Sequence, residues 1–154
     1  MQLSELIQED VIKVGLEARD KWEAIEELVD TLVAAHEIRL NDRPAVIEAV
    51  NVRERSFSTG LKYGLAIPHG SVDCVKDLIA ALGTSEKGIP FESADGAPAR
   101  LIILLAIPKA SFQQYVPTLA GISGLATTPM VREAILAAAS ASEITAILQG
   151  TKEI

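Results

Sequence analysis

The chain has 154 residues, 49% hydrophobic and 23% charged, which fits a single domain over 1–154 with a substantial core. A net charge of −7 leaves no basic stripe to neutralise phosphates, so no nucleic-acid partner is expected, whereas a basic protein partner is compatible. The one cysteine, Cys74, excludes an intrachain disulfide, MQLSELIQED lacks the features of a secretory signal, and the longest apolar run, LIILLAIP at 101–108, is too short for a bilayer, so a cytoplasmic protein not embedded in a membrane is expected.

The first clear element is a helix over 20–37. Asp20 and Glu23 form a capping-box pattern, and Trp22, Ile25, Leu28, Val29, Leu32 and Val33 share one face. A second helix starts near Asn41-Asp42, carries Pro44 in its first turn and runs to about Arg55. Ser58-Thr59-Gly60 reads as a loop. YGLAI at 63–67 reads as a buried strand ending at Pro68, and 77–86 as a second strand. Residues 88–99 are rich in turn formers, and RLIILLAI at 100–107 reads as the central strand. The remainder is helical. Residues 112–126 carry Tyr115, Leu119, Ile122 and Leu125 at helical spacing, although Pro117, Gly121 and Gly124 weaken it. Thr128-Pro129 looks like an N-cap followed by proline, and Ser140 with Glu143 forms another capping box, whose helix stops at Gly150. The alanine-rich stretch 137–141 reads as helix rather than linker. Helices at both ends around middle strands predict a three-layer α/β sandwich, with a mixed β-sheet flanked by helices on both faces.

The candidate site is STGLKYGLAIPHG, 58–70. His69 sits between a proline and a glycine at the end of an apolar run, where the chain is expected to turn. A rigid turn at a strand end presents the ring to solvent, and an unperturbed histidine is largely neutral and nucleophilic at pH 7. Ser58 and Thr59 hydroxyls, the permissive backbone at Gly60 and Gly64, and the Arg53 fork supply donors suited to an anion. The residues alone are equally compatible with a plain turn.

ERSFSTGLKYGLAIPHG resembles the active-site stretch of the type-2 IIA components of the bacterial phosphoenolpyruvate-dependent sugar phosphotransferase system. This is the fructose/mannitol class with its nitrogen-regulatory branch. Glu54, Leu61, Leu65, Ala66, Ile67, Pro68, His69 and Gly70 fit the family pattern, and Arg53 and Ser58-Thr59-Gly60 also look like it. The resemblance extends to the order of elements along the whole chain. It implies a phosphotransferase component that works as a phosphohistidine carrier. His69 would accept a phosphoryl group from an HPr-like phosphocarrier protein and pass it to a IIB protein or hold it as a regulatory mark. No metal or organic cofactor is implied. Phosphate support would come from Arg53 and the 58–60 turn.

Two positions depart from the family. Lys62 stands where the family has glycine or alanine, and its ammonium is read as a candidate phosphate partner. Many members carry a second histidine where this chain has Tyr115, which can donate one hydrogen bond but stays neutral near pH 7. Tyr115 is therefore read either as a site residue or as packing on its own helix. The departure also keeps open a regulatory or binding module that acts on a transporter or other partner without phosphotransfer. A hydrolase has no nucleophile elbow or metal cluster to support it. His36 is read as a charge at a helix end, Cys74 and Trp22 as core residues, Asp73 as a solvated loop residue, and Glu54 as orienting Arg53 or His69 or as solvated. Met1 and the length fit a stand-alone IIA protein.

Overall fold

The protein is described by a computed structural model over residues 2–150; Met1 and residues 151–154, which the single-domain expectation includes, lie outside the described residues. In chain order the elements are α1 (Leu3–Leu6), β1 (Ile12–Lys13), α2 (Lys21–Ala34), α3 (Arg43–Ser56), β2 (Leu65–Ala66), β3 (His69–Val72), β4 (Ile79–Ile89), β5 (Ala99–Pro108), α4 (Val116–Ser123), α5 (Pro129–Ala137) and α6 (Ala141–Gln149). Short 3₁₀ turns cover Glu9–Val11, Leu40–Asp42, Lys109–Tyr115 and Gly124–Thr127.

The apolar run 101–108, which makes up most of β5, is buried at every position. Successive side chains of a strand point to opposite faces, so unbroken burial requires cover on both faces of the sheet. That cover comes from α2 and α3, packed on β3, β4 and β5, and from α5, packed on β4 and β5. β5 is the hub of the sheet. It pairs antiparallel with β4 and parallel with β2 and β3, while β1 adds parallel to β4. The result is the expected mixed sheet between helical layers. Leu101, Ile102, Ile103, Leu104 and Leu105 are fully buried, and each such side chain contributes roughly 1.5–3 kcal/mol relative to exposure.

Local chemistry sets the helix ends. The Asp20 side chain accepts from the Glu23 N–H at 2.9 Å, and Ser140 accepts from the Glu143 N–H at 3.2 Å. In both cases the glutamate reaches back one residue before the cap, to the Arg19 N–H and the Ala139 N–H. α2 ends in a Schellman arrangement. The His36 N–H donates to Val33 and the Glu37 N–H to Leu32, each at 3.0 Å, with His36 at φ 61°. His36 is exposed, and it occupies the left-handed position usually given to glycine.

Several expectations are corrected. The strand does not end at Pro68. Ala66 faces Ile102 and His69 faces Leu105, the same offset on both sides of the proline, and Pro68 still accepts from the Leu105 N–H at 3.0 Å. A missing N–H is tolerated on an edge strand, so the strand resumes and carries His69 within it rather than in a turn. The strand also starts later than expected. Tyr63 (φ 61°) and Gly64 (φ 77°) form a tight turn closed by the Leu65 N–H on the Lys62 carbonyl. β1 went unread because it is only two residues long. Trp22 is 37% exposed: it lies one position after the first residue of α2, before the core-facing stripe begins at Ala24. Cys74 is exposed, just past the end of β3. Residues 137–141 are not continuous helix, because Ala138 is extended (ψ 138°) and separates α5 from α6. The Thr128 hydroxyl donates back to the Gly124 carbonyl and does not cap α5. The expected 112–126 helix is α4 between two 3₁₀ turns, because Pro117 is confined to the first turn of α4.

Candidate functional site

The site is built where α3 touches β3. A Cβ on Gly70 would lie 2.8 Å from the Ala49 carbonyl carbon and the Val50 nitrogen. Glycine therefore lets the helix backbone rest directly on the strand. This contact brings Arg53 and Glu54, at the C-terminal end of α3, beside His69.

His69 Nδ1 lies 2.9 Å from the Ile67 carbonyl oxygen. A carbonyl only accepts, so Nδ1 carries the proton and Nε2 keeps its lone pair. Nε2 has no protein partner among the described residues. Burial pushes the His69 pKa below its usual 6.5, the Ile67 carbonyl opposes that shift, and the Arg53 charge adds to it. Near neutral pH the ring is therefore an uncharged nucleophile with its tautomer fixed by the backbone.

The ring borders a cleft of about 290 Å³. Phe57, Leu61, Ile67 and Leu119 supply its apolar walls, and Arg53, Ser58, Thr59 and Ser123 its polar lining. Most of these polar groups are already committed. Ser58 Oγ donates to the Phe91 carbonyl at 2.6 Å, Ser123 Oγ donates to Leu119, and both the N–H and the hydroxyl of Thr59 donate to the Glu54 carboxylate. Ser58 and Thr59 thus wall the cleft, and their side-chain donors face protein acceptors. Arg53 differs. Its Nη1 donates to the Phe57 carbonyl at 2.8 Å, at the end of α3, and no other protein acceptor takes its remaining N–H groups among the described residues. It lines the same cleft as His69, with donors left over.

Three of the sequence-predicted residues stand apart from the cleft. Gly60 is buried and pairs with Ala66 in an isolated bridge. A Cβ there would meet Ser93 Oγ at 2.7 Å, so its glycine serves the close pass of the 91–94 segment. Lys62 is exposed; the Asp95 carboxyl is held below its usual range chiefly by the Tyr63 and Ala97 N–H donors, with a smaller contribution from the Lys62 charge. Tyr115 is buried in the core and does not line the cleft.

Glu54 is buried rather than solvated, and Lys21 joins it. Lys21 is only 5% exposed. Nothing in the sequence marks it out, because a lysine in the first turn of an amphipathic helix reads as surface. The apolar walls Phe57, Leu61 and Leu119 were not read as site residues; Leu61 carried a signal only as part of the family pattern and Leu119 only within a helical stripe.

The comparisons with known proteins follow this geometry. Residues 5–150 match the family model described as phosphoenolpyruvate-dependent sugar phosphotransferase system, EIIA 2. The chain belongs to this family. It is 34% identical over 148 residues to the fructose-specific EIIABC component of Bacillus subtilis, covering 96% of this chain but 23% of that protein. It is also 34% identical over 125 residues to the fructose-specific EIIA component of Haloferax volcanii, covering 81% and 80% of the two chains. The crystal structure of the nitrogen regulatory protein IIA-Ntr from Neisseria meningitidis superposes with a TM-score of 0.85 at 30% identity, covering 95% of this chain and 98% of that one. The mannitol IIA of Escherichia coli, solved in complex with phosphorylated mannitol IIB, matches with a TM-score of 0.75 at 25% identity, over 95% of this chain and 100% of that one. No helix among the described residues is long and apolar enough to cross a membrane.

Proposed function

We propose that this IIA chain is a phosphocarrier whose His69 Nε2 accepts a phosphoryl group from an HPr-like phosphohistidine protein and passes it to a IIB protein. The observation that carries this reading is the bare Nε2 facing the cleft while Nδ1–H is held by the Ile67 carbonyl. In the transfer the Nε2 lone pair forms a bond to phosphorus as the donor's N–P bond breaks. The bonding pair returns to the donor ring nitrogen. The accepting ring gains positive character, which its Nδ1–H shares with the Ile67 carbonyl. The phosphoryl oxygens meet the unengaged N–H groups of Arg53. Such transfer is mostly positioning and charge stabilisation, and these groups supply both.

The apolar rim suits a protein donor and acceptor better than a small molecule. Phe57 is 77% and Val116 41% exposed; Phe57 borders the cleft and Val116 opens α4, the helix that contributes Leu119. The likeness to both sugar-specific and nitrogen-regulatory relatives supports two fates for the phosphoryl group, onward transfer or a mark read by a partner such as a transporter. Both fates place the chain in the cytoplasm, where phosphoenolpyruvate-driven carriers work.

The test is phosphorylation from phosphoenolpyruvate through the general phosphotransferase enzyme and HPr, read by intact mass at alkaline pH. The parent chain gains one phosphoryl group and His69→Ala gains none. A folded parent that takes no phosphate from several HPr paralogues would sink the reading, as would phosphate on His69→Ala.

A further inference from the structure

Glu54 is 2% exposed. Its Oε2 accepts the Thr59 N–H at 2.7 Å and its Oε1 accepts the Thr59 hydroxyl. Lys21 Nζ, from the first turn of α2, lies 3.9 Å from Glu54 Oε2 and 3.0 Å from Glu92 Oε1. Glu92 is held at φ 53°, in the left-handed region, and its own side chain is 78% exposed. The ammonium also sits 5.3 Å from the Trp22 ring centre and 5.7 Å from that of Phe91, whose carbonyl accepts the Ser58 hydroxyl. Three segments far apart in sequence, 21–22, 54–59 and 91–92, therefore converge on one buried charge pair, directly behind the Ser58–Thr59 wall of the cleft.

Two demands meet at this point. Thr59 needs an acceptor for both its N–H and its hydroxyl, and a carboxylate supplies two oxygens. A carboxylate beside His69 also repels an arriving phosphoryl group, which carries about −1.5 to −2 charges. The charged groups acting on the ring are Arg53 and Glu54 from α3; Lys21 from α2 faces Glu54, and Glu92 from the segment after β4 faces Lys21. Arg53 faces the cleft, so the cation able to offset Glu54 from within the protein is Lys21.

We infer that Lys21 and Glu54 are a positioning pair for transfer at His69: Glu54 clamps the Thr59 wall, and Lys21 cancels its charge where the phosphoryl group must arrive. The inference rests on the phosphocarrier reading. A lone buried carboxylate would favour a protonated His69 and remove the nucleophile. With Lys21 in place, the clamp is kept without that penalty.

The test uses the full chain as Lys21→Met, Glu54→Gln and the double variant, with NMR titration of His69, unfolding midpoints and the rate of phosphorylation by phospho-HPr. Lys21→Met raises the His69 pKa and slows phosphorylation by about tenfold, the effect of roughly one pKa unit of charge imbalance. Adding Glu54→Gln brings the pKa back to or below the parent value and recovers most of the rate. A purely structural role would lower the unfolding midpoint and leave the pKa in place. An unchanged pKa and rate in Lys21→Met overturns the pair, as does a double variant slower than Lys21→Met. Should Lys21→Met not fold, Glu54→Gln alone decides: loss of the carboxylate lowers the His69 pKa, and an unmoved pKa refutes the pair. A parent chain that takes no phosphate sinks the phosphocarrier reading instead, and the titrations still judge the charge coupling.

Discussion

Replacing Gly70 with alanine probes the contact on which the site is built. The added Cβ would sit 2.8 Å from backbone atoms of Ala49 and Val50, and ordinary contact begins at 3.4 Å. The obstacle is helix backbone, which cannot rotate aside as a side chain can, so α3 must retreat from β3 by about 0.6 Å. Overpacking of this kind costs ~1–3 kcal/mol. For a chain of this length ~2 kcal/mol corresponds to a fall in Tm of about 4–8 °C. The retreat also draws Arg53 and Glu54 away from His69, because both ride on α3. Misplacements approaching 1 Å can cost up to about a hundredfold in rate, so phosphorylation at a temperature where the variant is fully folded is expected to slow by about tenfold. Gly124→Ala is the control. A Cβ there meets nothing within 4 Å and the backbone is already right-handed at φ −62°, so the expected outcome is neutral to stabilised by up to about 1 kcal/mol. Urea unfolding and stopped-flow phosphorylation of the two variants decide the matter. A Gly70→Ala protein as stable and as fast as the parent would refute the claim that this glycine sets the helix-to-strand distance. One that loses stability but not rate would refute the claim that the distance matters to the site.

Two further outcomes are expected. Burial lowers the His69 pKa from 6.5 against the opposing Ile67 hydrogen bond, so Nε2 stays unprotonated below pH 6.5 and phosphorylation persists there; between 6.5 and the folded value the unfolded chain binds more protons, so this contribution to stability is lost as pH falls through that window, and His69→Gln abolishes that part of the slope. An NMR pKa above 6.5 would contradict this. His36→Gly relieves a left-handed residue at φ 61° while keeping both hydrogen bonds that end α2, and is expected to stabilise the fold by about 1 kcal/mol in urea unfolding, with a loss of stability counting against the Schellman assignment.

What was legible in the sequence was what short-range chemistry decides. Asp20 with Glu23 and Ser140 with Glu143 cap their helices as their spacing says, and the run 100–107 is the central strand because unbroken apolar character has no other place in a sheet. His69 stood out through its neighbours in AIPHG. The rest depended on partners distant in the chain. Proline ordinarily ends a strand, and only pairing with β5 carries this one through Pro68 to His69. Ser58 and Thr59 looked like free donors until Phe91 and Glu54 claimed them. Lys21 looked like a surface lysine, because its burial is made by Glu54, Phe91 and Glu92. Tyr115 was open to a site role or to packing, and the 3₁₀ turn it ends leaves it in the core.

The interruption at Pro68 also governs how other proteins can approach. The outer edge of β2 is already taken by the chain's own residues 59–61, through the Leu61 N–H on Leu65, the Ile67 N–H on Thr59 and the Gly60–Ala66 bridge. At the far side of the sheet, β1 offers two residues. Strand addition by a visitor is therefore hindered beside β2, and β1 offers it only a short template. The exposed side chains of Phe57, at the cleft, and Val116, at the start of α4, offer a different kind of contact surface. A small surface of this kind suits a protein that meets a donor and an acceptor in turn and keeps neither.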